Sequence, residues 1–242
     1  MFFSLGYNGT DYFSPENDYG EADEGRLQQY LNTVNAVLQQ AGQLGYPDID
    51  ILRGSDNQLR AMVDVCHVYG IGLIFDIVYN HAGGGFDGKS MWFLDRMPEG
   101  NPNDSLYFTD QGWAGGQVFA FWNNDVKQFL IDNAKFLYEE FRIDGLRFDE
   151  VSVMDRFGGW QTCKDLTDTL RSKKSEAVQI AEYWPVNDYV VKPTSIGGAG
   201  FDATWNDAVR DNVCRDRAGV GGRFDAGEYG FCRQRVSEFE HR

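Results

Sequence analysis

Between Arg142 and Glu150 the chain reads RIDGLRFDE, an apolar run of Ile143, Leu146 and Phe148 interrupted by Asp144, Arg147 and Asp149. The pattern predicts a short buried strand. A strand interior holds such charges only if they are partnered, because burying a lone charge is expensive. Residues two apart on a strand point to one side. Arg147 and Asp149 are therefore either a structural ion pair or part of a site.

The rest of the chain decides between these. IGLIFDIV (71–78) is apolar and β-branched, which predicts a strand buried on both faces. It ends in Tyr79, Asn80 and His81. AVQIAEYW (177–184) predicts a third buried strand, ending in Glu182, Tyr183 and Trp184. Helical patterns alternate with these runs. One spans about 24–44, with Leu27, Leu31, Val34, Val37 and Leu38 at three- and four-residue spacing. A second starts at Ser55 or Asp56 as cap and stops at Gly70. A third runs from Asn123 or Asn124 to about Phe141, and a fourth over 160–173. This order predicts an α/β protein with a parallel sheet. Asp76, Asn80 and His81, then Arg147 and Asp149, then Glu182 all fall at C-terminal strand ends, where chemistry sits in parallel barrels and sheets. Three polar strand ends in succession, each with a carboxylate, point to a functional site.

The connecting segments are less regular. Residues 1–20 read as an aromatic, Gly-rich loop, and 46–53 as a short strand or extended loop. Residues 82–122 read as one long loop carrying Trp92, Trp113 and Trp122, a length that marks function. FDATW (201–205) reads as a short strand followed by a helical segment with Asp207, Val209 and Val213. His67, beside an apolar helix stripe, is expected to be structural.

Composition excludes some partners. A net charge of -15 repels phosphate backbones, so no nucleic-acid partner is expected. No stretch approaches the roughly 20 apolar residues of a membrane span, so no membrane partner is expected. Cys66, Cys163, Cys214 and Cys232 match no zinc or redox spacing. Free thiols and a cytoplasmic location are expected.

Two carboxylates converging from neighbouring strand ends suit chemistry at an acetal carbon. Arg147 is expected to keep Asp149 ionised as a nucleophile. Glu182, in a setting expected to be apolar, suits proton donation. A two-carboxylate metal site is the competing chemistry, and the strand ends supply only one histidine for it.

DIVYNH (76–81), GLRFDEVSV (145–153) and AEYW (181–184), in this order, resemble the first three signature regions of the α-amylase superfamily, glycoside hydrolase family thirteen. GYNGTDYFSPENDYG (6–20) resembles the segment these enzymes carry after the second barrel strand. The resemblance implies part of a (β/α)8 barrel, strands three to six, and a retaining double displacement on α-glucans or maltooligosaccharides. It implies Asp149 as nucleophile, Glu182 as general acid/base and Arg147 as the residue orienting the nucleophile. It places Tyr7, Asp76, His81 and Trp184 around the sugar, and Asn80 where many amylases ligate a structural calcium. No other cofactor is implied. Val151, Ser152 and Val153 stand where many amylases carry a lysine–histidine pair. Together with GGAGFDATWND (197–207), this resembles glucan branching enzymes more than secreted amylases.

The sequence also departs from the family. The third carboxylate, in a fourth region with a His-Asp pair, is not found; the only later histidine is His241. The expectation is a partial catalytic barrel over 1–213 with an irregular tail over 214–242, as in a piece of a longer enzyme. Three readings follow: a branching transferase, an amylase-type hydrolase, and a sugar binder without turnover.

Overall fold

The structure, a computed structural model, describes residues 6–84, 91, 95 and 105–206. Trp92, the helical segment expected after FDATW and the tail over 214–242 lie outside the described residues. The chain forms two units, one of Asp11–Phe75 with Asp132–Gly145, the other of Met1–Thr10, Asp76–Ile131 and Leu146–Arg242.

In the first of these, helix α1 (Glu24–Gln40) opens with the Asp23 carboxylate accepting the Arg26 N–H at 2.9 Å. Leu27, Leu31, Val34 and Leu38 are buried along one face, against Leu52 and Ala61. Residues 46–53 form no strand; Asp48 is extended, but the chain turns immediately after it. Asp48 accepts the N–H groups of Asp50 and Ile51, which closes a 3-10 turn over Ile49–Arg53. Helix α2 (Ser55–Val68) has Gly54 at its cap position with no side-chain bond. Ser55, expected to cap it, instead donates its hydroxyl to Asn17 at 2.9 Å. His67 faces the Asp144 carboxylate at 2.8 Å, and that carboxylate also accepts the Leu73 N–H at 2.8 Å. This is the structural role expected of it.

The main sheet has the order β1 (Ile74–Ile77), β5 (Gly145–Phe148), β6 (Val178–Ala181), β7 (Ala203–Thr204). β6 and β7 pair in parallel, Ile180 opposite Ala203 and Ala181 opposite Thr204. β5 is buried throughout. β1 is not, contrary to expectation: Ile74 is 47% exposed. The reason is position, since β1 lies at the edge of the described sheet and β5 inside it. Beyond the strand ends the ladder continues, with the Asp149 N–H on the Ile77 carbonyl and the Glu182 N–H on the Phe148 carbonyl, each at 2.9 Å.

The long segment 82–122 is no mere loop. Its described residues, with His81, form an antiparallel sheet of order β2 (His81–Gly83), β4 (Gly116–Phe119), β3 (Phe108–Trp113). Ala114 and Gly115, both at positive φ, make the tight turn between β3 and β4. Phe119 joins this sheet's apolar face to Phe108 and Phe129 through ring contacts of 4.9 and 6.4 Å.

Helix α3 (Asn124–Phe141) begins after Asn123, whose side chain accepts the Asp125 N–H at 2.9 Å. A short helix α4 (Val151–Arg156), unforeseen in the sequence, follows β5 directly. Helix α5 (Trp160–Lys173) matches its expected range.

One glycine positions the segment that carries Tyr7 and Asn8 against β2. The Gly83 N–H donates to the Gly9 carbonyl at 2.8 Å. A Cβ at Gly83 would stand 2.1 Å from the Asn8 carbonyl oxygen, so this close crossing admits no side chain. Gly83→Ala is expected to push residues 7–9 off β2 at a cost of about 1–3 kcal/mol. Urea unfolding would check it; an unchanged stability would contradict this role for the crossing.

Candidate active site

The polar strand ends meet around one guanidinium. Arg147, on β5 and 8% exposed, donates Nη1 to Asp76 at 2.7 Å and to Asp149 at 2.8 Å. Its Nη2 donates to Glu182 at 2.6 Å. Its Nε has no hydrogen-bond partner, and the guanidinium carbon lies 4.5 Å from the centre of the Trp205 ring. One cation therefore gathers carboxylates from three consecutive strand ends of the sheet, with an indole face over it. A metal ion would compete with Arg147 for these same oxygens.

Asp149 is 8% exposed and well supported. The Asn80 side-chain amide donates to its carboxylate at 3.0 Å and to its backbone carbonyl at 2.9 Å. The expectation that Arg147 would hold its pKa low is overturned. Burial pushes it up to about 6, against the pull of Arg147 and Asn80, and a side-chain contact with Glu182 pushes the same way. Desolvation of a nearly enclosed carboxylate outweighs one shared cation here. At neutral pH the group is still largely ionised.

Glu182, 9% exposed, is not in the apolar setting expected of it. Its Oε2 accepts from Arg147 and from the Glu150 backbone N–H at 3.1 Å, while Oε1 accepts the Trp184 indole N–H at 3.2 Å. Trp184 meets Trp205 edge-on at 5.9 Å.

Tyr7 donates its hydroxyl to Asp76 at 3.1 Å and is 40% exposed. Burial and the Asp76 charge raise its pKa, so it stays a neutral aromatic surface. Asp76 is half exposed beside it. His81 is 1% exposed, with Nδ1 facing the Asn80 side-chain oxygen Oδ1 and Nε2 facing Asn8 Oδ1 at 3.2 Å. It stands behind the site rather than open within it, and burial lowers its pKa, favouring the neutral ring.

Asn80 does not fit a calcium ligand in this arrangement. Its oxygen faces His81, its amide is spent on Asp149, and the residue is fully buried. Among the described residues no three His, Cys, Asp or Glu side chains gather to hold a metal. Asn80→Ala is expected to cost about 2–3 kcal/mol by leaving Asp149 short of two donors. It should also move the Asp149 titration further up. Urea unfolding at pH 5 and 7 would check both.

Glu150, Trp205 and Asn8 were not singled out from the sequence. Trp205 follows the fourth strand as Glu182 follows the third, and that equivalence was the available signal. Glu150 carried none, because nothing in FDEVS announces a left-handed backbone.

Parallel strands alternating with helices, with carboxylates at their C-terminal ends, are the arrangement of part of a (β/α)8 barrel. The solved structures agree in fold. A pullulanase from Paenibacillus barengoltzii, complexed with maltotriose, superposes with a TM-score of 0.55 at 19% identity, covering 85% of this chain and 28% of that one. In sequence, the 1,4-alpha-glucan branching enzyme GlgB of Mycolicibacterium paratuberculosis is 33% identical over 180 residues, 63% of this chain and 23% of that protein. The enzyme of the same name from Corynebacterium jeikeium is 30% identical over 230 residues, 84% of this chain and 26% of that protein. The chain thus spans about a quarter of the length of these curated relatives. No family model matches it. The resemblance to the α-amylase superfamily, and within it to glucan branching enzymes, is borne out.

Proposed function

We propose that the protein acts on α-glucans by a retaining double displacement, as a 1,4-α-glucan branching transferase. The observation that carries this is the single Arg147 guanidinium holding Asp149 and Glu182 together at adjacent strand ends. Sharing one cation suits the closer carboxyl spacing of retaining enzymes, about 5–5.5 Å, rather than the wider one of inverting enzymes. The branching type rests on the names of the sequence relatives.

In the first step the Asp149 carboxylate bonds to the anomeric carbon. The C–O bond breaks with its electron pair going to the leaving oxygen, and Glu182 supplies that oxygen with a proton. In the second step a glucan hydroxyl attacks, Glu182 takes its proton, and the bond to Asp149 breaks. Arg147 holds both carboxyls in place through the cycle. Tyr7 and Trp184 offer aromatic surface to the sugar, and Asp76 offers acceptors to its hydroxyls.

The test is incubation with a linear α-1,4-glucan. New α-1,6 branches with no rise in reducing ends support the proposal. Reducing ends rising with turnover would make the protein a hydrolase, and maltooligosaccharide binding without turnover would make it a sugar binder.

A further inference from the structure

Glu150 follows the candidate nucleophile directly and adopts φ 42°, ψ 50°, a left-handed backbone that non-glycine residues rarely hold. Such strain persists only where surroundings enforce it, and it gathers at functional sites. Here the enforcement is visible. Val151, fully buried, donates its N–H to the Glu182 carbonyl at 2.7 Å, and the Glu182 N–H returns to the Phe148 carbonyl. The chain from 148 to 151 therefore wraps the Glu182 backbone. The left-handed residue inside that wrap aims its own N–H at the Glu182 side chain.

The two oxygens of Glu182 are consequently unlike. Oε2 accepts a cationic donor, Arg147, and the Glu150 N–H. Oε1 accepts the neutral Trp184 indole N–H at 3.2 Å, and the Asp149 carboxyl also contacts the Glu182 side chain. An oxygen already accepting two donors, one charged, is the worse place for a proton. We infer that Glu150 is a positioning residue whose left-handed backbone N–H, with Arg147, reserves Oε2 for the negative charge and leaves Oε1 to carry the proton that Glu182 transfers. The inference rests on the acid/base role given to Glu182 above. When the glycosidic bond breaks, the proton leaves Oε1 for the leaving oxygen, and the charge left on Glu182 falls where two donors already point.

The Glu150 carboxylate is not what performs this task. It accepts the Ser152 hydroxyl at 3.3 Å, and burial followed by the nearby Glu182 raises its pKa. The backbone and the side chain can therefore be separated by substitution. Glu150→Gly removes the carboxylate and keeps both the N–H and the left-handed conformation, which glycine adopts freely. Glu150→Val opposes that conformation through its branched Cβ. Glu150→Ala opposes it more mildly and serves if the valine variant fails to fold.

The experiment compares these variants on a linear α-1,4-glucan and on α-glucosyl fluoride, whose leaving group needs no proton. Removing a donor from the ionised form raises a pKa. The basic limb of the kcat/KM profile on glucan should therefore move to higher pH in Glu150→Val and stay in place in Glu150→Gly. Glucan turnover at neutral pH should fall at least about tenfold further in the valine than in the glycine variant, the size of one lost donor to a charged group. Fluoride consumption in the first turnover should be alike in both. Matching profiles for the two variants, or equal losses on both substrates, would overturn the inference. Asp149→Asn run alongside separates the two claims. If it still turns over glucan, the site assignment itself fails. If it is inert while the Glu150 variants match, only the positioning role fails.

Discussion

Asp149→Asn is expected to stop glucan turnover while making the protein more stable. On the proposed mechanism Asp149 is the covalent nucleophile, and its loss should lower kcat by at least about 10³-fold, because single members of such catalytic sets carry losses of that size or larger. The stability gain follows from the titration of Asp149. Its folded pKa of about 6 lies above the ordinary 3.8 because burial opposes its charge. Below about pH 4 both folded and unfolded chains hold the proton, and the group has no effect. Between about pH 4 and pH 6 the unfolded chain has lost the proton and the folded one keeps it, so stability falls as pH rises. Above that window the cost is constant, on the order of 2–3 kcal/mol. An asparagine escapes this cost but loses the attraction of Arg147, so a gain of up to about 2 kcal/mol is expected at pH 7. It should fade towards pH 4. Urea unfolding across pH 4–8 checks the profile. A variant destabilised throughout would mean that Arg147 and Asn80 more than compensate burial.

The largest stability effect is expected at Arg147. Three carboxylates depend on it, and two of them, Asp149 and Glu182, are nearly enclosed. Removing one partner of a buried ion pair costs about 3–5 kcal/mol, because the remaining charge is left without compensation. Arg147→Met should lose that much at pH 7 and less at pH 5, where the raised titration of Asp149 lets it take up a proton. Arg147→Lys keeps the charge but not the two-sided fork that reaches Asp149 and Glu182 from different nitrogens. It should recover part of the stability and little of the activity. A loss under about 1 kcal/mol, or one that grows at pH 5, would contradict this account of the cluster.

Much of this site was legible because its physics is local. An arginine and an aspartate two apart on a strand must share a side, and Arg147 does bond Asp149. Apolar runs ending in polar residues marked the strand ends, and Asp76, Arg147, Asp149 and Glu182 do meet there. Helix α5 was legible for the same reason, its buried Cys163, Leu166 and Leu170 recurring at helical spacing.

What escaped depended on distant partners. β1 reads as a core strand, but its place at the sheet edge leaves Ile74 open. Residues 82–122 look like loop because β2, β3 and β4 are short and pair across a long gap. The environment of Glu182 could not be foreseen, since two of its three donors come from β5 and the turn after it. Asp149 shows the same limit for charge: the sequence displayed its cation but not how completely both would be enclosed.

The most direct test of the central claim is to trap the intermediate. Glu182→Gln, incubated with α-glucosyl fluoride, should complete the first step and stall before the second. Mass spectrometry of the digested protein should then find one glucosyl unit on the peptide carrying Asp149. A glucosyl unit on another residue, or wild-type turnover of the fluoride with nothing trapped in the variant, would contradict the assignment of Asp149 as nucleophile.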